Sequence, residues 1–222
     1  MLTITYYLDV VSSWCHYVEP VWKRLQERYA DAVDFRWQIA LIPASGLPGS
    51  REEEEWYYRR SGMITRQTSM LNAGWWEAGM SEFLAPNAVA VAARNLGVKG
   101  DGVRLALARA AMIEGRPVGR WQESVAVAAA VSGIDAEVLQ TEAQRPEVEQ
   151  AIRDTTEQFY GLSVTQRPAF RLESEIGDVA VFSGLIQETV LVAAIEAMLS
   201  DTTAYRSWSA HFGASWDKRD ES

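Results

Sequence analysis

"YYLDVVSSWCHYVEP", residues 6–20, joins an apolar strand to the first turns of an amphipathic helix and carries Cys15, the one cysteine of the chain. Leu2–Val10 is rich in β-branched and aromatic residues and reads as a strand. Val18, Val21, Trp22 and Leu25 recur at helical spacing and predict a helix over Cys15–Tyr29. Val33–Ile42, "VDFRWQIALI", has the same strand character and stops at Pro43. Strand, helix, strand predicts a right-handed crossover between parallel strands. Ligands of such sheets bind outside the carboxyl ends of the strands, which is where Val11–Trp14 falls.

Further along the chain the pattern changes twice. From about Arg51 to Gly161 it is helical throughout, in "REEEEWYYRR", "NAVAVAARNLG", "GVRLALARAAMIEG", "RWQESVAVAAAVSG" and "PEVEQAIRDTTEQFYG", with Gly97, Gly115, Gly133 and Gly161 as stops. Pro168–Leu172 and Val179–Phe182 then read as two short strands around "ESEIGD", and Leu185–Leu199 as a closing amphipathic helix. The order βαβ, helices, ββα predicts an α/β fold with a mixed four-stranded sheet interrupted by a large helical insertion. Residues 1–49 and 162–200 form the sheet domain, 50–161 the inserted helical domain, and 201–222 a C-terminal tail.

Composition bounds the function. At 48% hydrophobic and 23% charged residues, the 222-residue chain has the make-up of a soluble globular protein. Its longest apolar runs, Val125–Val131 and Val190–Ile195, fall short of the roughly 20 residues that span a bilayer, so no membrane role is expected. "MLTITYYLDV" lacks a basic n-region and meets Asp9 where a signal core would continue, and a lone cysteine suits a reducing compartment; a cytoplasmic protein is expected. The net charge of −9 argues against a nucleic-acid partner. One cysteine and two histidines make no metal-ligand set. A small, uncharged or thiol-carrying partner fits better, and a homodimer stays open.

Three local features, in this order, resemble the thioredoxin superfamily, and within it the DsbA-like branch that also holds 2-hydroxychromene-2-carboxylate isomerases and kappa-class glutathione transferases. "SSWC", Ser12–Cys15, stands where relatives carry C-x-x-C or a serine-containing variant. Pro20 stands where thioredoxins have a proline in the active-site helix, and "VTQRPAF", Val164–Phe170, is similar to the loop whose cis-proline faces the active-site sulfur. "VFSGLIQETVLVAAI" resembles the last strand, glycine turn and closing helix. The resemblance covers the chain up to Ser200. It implies a thioredoxin-like fold and a cis bond before Pro168.

The departure from the family pattern is chemical. Dithiol oxidoreductases attack with a low-pKa cysteine at the first motif position and resolve with the fourth. Here the first position is Ser12, so the motif has no partner thiol for Cys15. Backbone N–H groups at a helix start favour an anion such as a thiolate. By the resemblance, Ser12 would hold the sulfur of glutathione or another low-molecular-weight thiol, with Ser13 and Trp14 beside it. As a plain N-cap, Ser12 or Ser13 would contribute roughly 1 kcal/mol to the helix, and the two roles can coexist. Cys15 reads first as a small buried hydrophobe. If Pro168 is cis, the Arg167 backbone can pair with an extended peptide and its guanidinium can grip a carboxylate. Ser183 and Gly184 are weaker candidates for the peptide's other end.

"EEWYYRR" and "AGWWEAG" supply Trp56, Tyr57, Tyr58, Trp75 and Trp76, of which one or two are expected to line a pocket for a planar hydrophobic substrate, the rest packing in the core. Glu52–Glu55 reads as a solvated face with Arg59 and Arg60 as helix-spaced partners. The leading expectation is a thiol-dependent isomerase or transferase; the alternatives are a disulfide oxidoreductase working through Cys15 alone and a non-catalytic peptide- or protein-binding module.

Overall fold

A computed structural model describes residues 1–66 and 71–212. The opening unit is β1 (Leu2–Leu8), α1 (Ser13–Arg28) and β2 (Val33–Ile39), with β1 and β2 parallel from Leu2 opposite Val33 to Leu8 opposite Ile39. β3 (Ala169–Glu173) runs antiparallel to β1, and β4 (Val179–Ser183) antiparallel to β3, giving the strand order β2-β1-β3-β4. This is the thioredoxin-like mixed sheet, with β1 inside it.

Period-two alternation puts Leu2, Ile4, Tyr6 and Leu8 on one face of β1 and Thr3, Thr5 and Tyr7 on the other. Leu2, Ile4, Tyr6 and Leu8 enter the main core, where the Tyr6 ring stacks on Phe170 at 5.0 Å and meets Trp22 of α1 at 5.0 Å. Tyr7 points to a second cluster with Ala40, Phe159 and Ala169. Pro20 lies inside α1.

Between β2 and β3 stand α2 (Arg51–Thr65), α3 (Leu84–Asn95), α4 (Gly102–Met112), α5 (Trp121–Ser132), α6 (Ala136–Ala143) and α7 (Pro146–Gly161). Helix α6 has no counterpart in the sequence reading; its eight residues bury only Leu139 and Ala143, too few for a visible period. The closing helix α8 spans Glu188–Phe212, longer than the expected Leu185–Leu199, so part of the expected tail 201–222 is helical; residues 213–222 lie outside the described residues.

A buried ion pair ties α4 to α1. Arg104 of α4, 2% exposed, meets both carboxylate oxygens of Glu19 on α1 and also Asp101 at 3.1 Å. Tyr6 Oη donates to Glu19 at 3.1 Å, and Asp101 accepts from Trp22 Nε1 at 3.1 Å. Burial pulls the Arg104 guanidinium down, but Glu19 more than offsets this, and its pKa lies above the usual value.

Candidate functional site

The loop after β1 is fixed from below by one carboxylate. Asp9, 1% exposed, accepts hydrogen bonds from Val11 N at 3.0 Å, Ile42 N at 2.8 Å and Asn87 Nδ2 at 3.0 Å. Asn87 Oδ1 accepts from Val10 N at 3.0 Å, so the ends of β1 and β2 and the start of α3 share one polar knot. Burial pushes the Asp9 carboxyl up from its ordinary value, and these N–H donors oppose the shift. From this base the chain enters α1 with Ser12 as N-cap, its Oγ accepting from Cys15 N at 3.3 Å. The capping role is therefore real; the hydroxyl oxygen accepts from the backbone, and its rotatable hydrogen, which can face the Cys15 sulfur, is the donor.

Ser12, Ser13 and Trp14 line a cavity of about 240 Å³. Its far wall is Glu54, Tyr57 and Arg60 of α2 together with Trp75, and its rim is Ile42, Gly46, Leu47 and Pro48. Ligand pockets for drug-sized molecules run to roughly 300–1,000 Å³, so this one suits a reacting end rather than a whole substrate. Of the five aromatic residues, Tyr57 and Trp75 line it. Trp56 does not line the cavity and is 55% exposed, while Trp76 packs against the core with Nε1 donating to Pro48 O at 2.9 Å.

Cys15 is 2% exposed and faces the core. Burial pushes its thiol up to about 11, against smaller opposing hydrogen bonds from Ser12, the Asp9 backbone and Tyr6. At that pKa only on the order of one molecule in ten thousand carries the thiolate at pH 7.

Arg167 corrects the sequence reading. The Arg167–Pro168 peptide is cis, but the guanidinium turns inward, 8% exposed, and donates to Ala40 O, Leu41 O and, at 3.1 Å, Tyr160 Oη. It lies 4.4 Å over the Phe159 ring. With its donors spent on the end of β2, it is not available to grip a ligand carboxylate. Pro168, Ser183 and Gly184 do not line the cavity: Pro168 O accepts from Gly184 N at 2.8 Å, and Ser183 Oγ donates to Gln166 O at 2.9 Å. Gly184 sits at φ +88°, a conformation that favours glycine at this turn.

The cation at the cavity is Arg60. Its guanidinium lies 4.9 Å from the Tyr57 ring, 5.1 Å from Trp56 and 5.9 Å from Trp14. Helical spacing had paired it with acidic residues, and only Arg59 does so, reaching Glu55 at 3.7 Å. Glu54 is the other missed residue. It stands in a run read as solvated, yet it is 5% exposed, because it is the one of Glu52–Glu55 on the face that carries Tyr58, Ser61 and Gly62 inward. The i, i+4 and i, i+7 spacing to buried Tyr58 and Ser61 was the available signal. Among the described residues no three Asp, Glu, His or Cys side chains gather as a metal site, and no helix is long and apolar enough to cross a membrane.

A family model described as a DSBA-like thioredoxin domain matches residues 3–196. The chain belongs to the DSBA-like thioredoxin family. No curated protein sequence matches it. Among solved structures, this DSBA-like protein is similar to the cytosolic disulfide reductase DsbM from Pseudomonas aeruginosa, at 19% identity and a TM-score of 0.66 over 94% of this chain and 98% of that one. The same reductase solved with GSH matches at 17% identity and a TM-score of 0.64, over 95% and 100% of the two chains. A 2-hydroxychromene-2-carboxylate isomerase matches at 13% identity and a TM-score of 0.61, over 91% and 98%. At these identities the likeness is one of fold. Within that fold the DSBA-like chain presents a serine to the cavity and keeps its only thiol inside.

Proposed function

We propose that this protein is an enzyme that borrows its thiol: it binds glutathione or another low-molecular-weight thiol with the sulfur at Ser12 and adds it to a hydrophobic organic substrate. Reversible addition, giving isomerisation, is the first reaction, and conjugation the second. The observation that carries this reading is the division of labour at the motif, where Ser12 caps α1 at the cavity floor while Cys15 is sealed and held protonated. A thiolate at Ser12 would meet the start of α1, where the helix dipole favours negative charge, and the Ser12 hydroxyl can donate to it. Arg60 supplies the positive charge for a peptide carboxylate that Arg167 cannot supply, and Tyr57 and Trp75 give the wall an aromatic surface. A reducing, cytoplasmic setting fits a protein that depends on a free small thiol. Disulfide exchange through Cys15 alone is disfavoured by its burial and its raised pKa.

Thermal denaturation with reduced glutathione tests the binding. A ligand of the native state at about 100 times its Kd adds roughly 2.7 kcal/mol. For a chain of this size each kcal/mol moves the midpoint by about 2–4 °C. A rise of several degrees is expected, and no rise with glutathione or any other small thiol would remove the reading.

A further inference from the structure

We infer that Glu54 is the proton-transfer residue of this cavity, taking the proton of the thiol that docks at Ser12 and passing it on to the substrate. This rests on the thiol-binding reading above. The geometry that carries it is the place of Glu54, 5% exposed, in the lining of the same cavity as Ser12, with Tyr58 and Trp75 packed behind it. Trp75 Nε1 donates to Tyr58 Oη, and indole nitrogen can only donate, so the Tyr58 hydroxyl hydrogen is left to hydrogen-bond the Glu54 carboxylate. Tyr58 and Trp75 are each 1% exposed, which fixes the orientation of this pair. Glu54 lines the cavity with Ser12 and Ser13, and among the described residues no arginine or lysine forms an ion pair with it.

The charged and titratable groups around it are few. Glu53 and Tyr58 of α2 act on it directly, Tyr57 and Arg60 of α2 share its cavity, and Tyr17 of α1 acts on Tyr58. Burial pushes the carboxyl up to about 7 and Glu53 adds to the shift, while the Tyr58 hydrogen bond opposes it. A group poised near the working pH can both accept and return a proton.

In the step, the S–H bond breaks, its proton goes to the Glu54 carboxylate, and the sulfur stays at Ser12 as thiolate. The thiolate lone pair forms the C–S bond to the β-carbon of a conjugated carbonyl, the C=C π pair moves to the enolate, and Glu54 returns the proton to the α-carbon. Elimination runs the same path backwards.

The test is calorimetry of reduced glutathione binding at about pH 8 in two buffers of different ionisation enthalpy, with thiolate absorbance read on the same samples. At this pH free glutathione, with a cysteine pKa near 8.5, is still mostly thiol. Wild type is expected to form the thiolate and release little proton, because the thiolate is a like charge beside the Glu54 carboxyl, raises it further and holds the proton there. Glu54→Gln, shown folded by circular dichroism, is expected either to release about three-quarters of a proton per thiol bound or to lose the thiolate band. A variant that keeps both the wild-type band and the wild-type proton count overturns the inference. So does a wild type that releases about three-quarters of a proton on forming the thiolate, all that a thiol of pKa near 8.5 has to lose at pH 8, whether or not the variant folds. Absence of binding in wild type removes the thiol-binding reading itself, and Glu54 with it.

Discussion

Wild type is expected not to reduce disulfides, and Ser12→Cys is expected to give a protein that does. Ser12 caps the helix whose first turn holds Cys15, and its Oγ already sits 3.3 Å from Cys15 N. Across that turn two cysteines lie within roughly the 4.4–6.8 Å Cα separation a disulfide needs. The introduced sulfur would line the cavity at a helix start, which lowers a thiol below its ordinary 8.5 or so, while Cys15, at about 11, would be the buried resolving thiol. Wild type offers only that buried thiol, so alkylation of native protein should be slow and become complete on unfolding. The measurements are free-thiol counts before and after mild oxidation, and insulin reduction. Two free thiols retained in the folded, oxidised variant would show that residue 12 does not occupy the attacking position, and insulin reduction by wild type would return the redox role to Cys15.

The largest loss of stability is expected at the ion pair between helices. Arg104→Met leaves Glu19 buried among Tyr6 and Asp101 with no cation, and breaking one side of such a pair costs about 3–5 kcal/mol. For a chain of this length the midpoint falls by on the order of 10 °C. Removing both charges is a different experiment. In Glu19→Met with Arg104→Met, Asp101 keeps Trp22 Nε1 and Gln26 Nε2, and Tyr6 Oη keeps Cys15 O at 3.3 Å. Apolar replacement of a whole buried pair is often neutral. The double variant should therefore be more stable than Arg104→Met alone. A single-variant cost below about 1 kcal/mol would mean the pair behaves like a solvent-screened one.

The fold was legible because its signals are local and repeat. β1 alternates between a fully buried face and a half-buried one, Val18, Trp22 and Leu25 mark one helical stripe, and between β2 and β3 the described elements are helices. Ser12 was legible for the same reason, since a serine where a strand meets a helix is visible in a dozen residues. What failed was direction and depth. Nothing in "TQRPAF" says that the Arg167 guanidinium turns back onto Ala40 and Leu41, because those carbonyls become its neighbours only when the end of β2 packs beside α7. The run Glu52–Glu55 looks uniformly hydrated, and only the rotation of α2 against α1 puts Glu54 inside and leaves Glu52 and Glu55 out. Five aromatic residues in two clusters likewise carry equal weight in the sequence, and the fold sorts them into the exposed Trp56, the cavity wall of Tyr57 and Trp75, and the packed Tyr58 and Trp76.

The claim beneath all of this is that a borrowed sulfur is held as thiolate by Ser12. Ultraviolet difference absorbance of reduced glutathione bound at neutral pH tests it most directly, since free thiol of pKa about 8.5 is only a few per cent ionised there. The account predicts a thiolate band with wild type and its loss in Ser12→Ala, with binding retained. An undiminished band in Ser12→Ala, or no band in a wild type that binds the thiol, would contradict it.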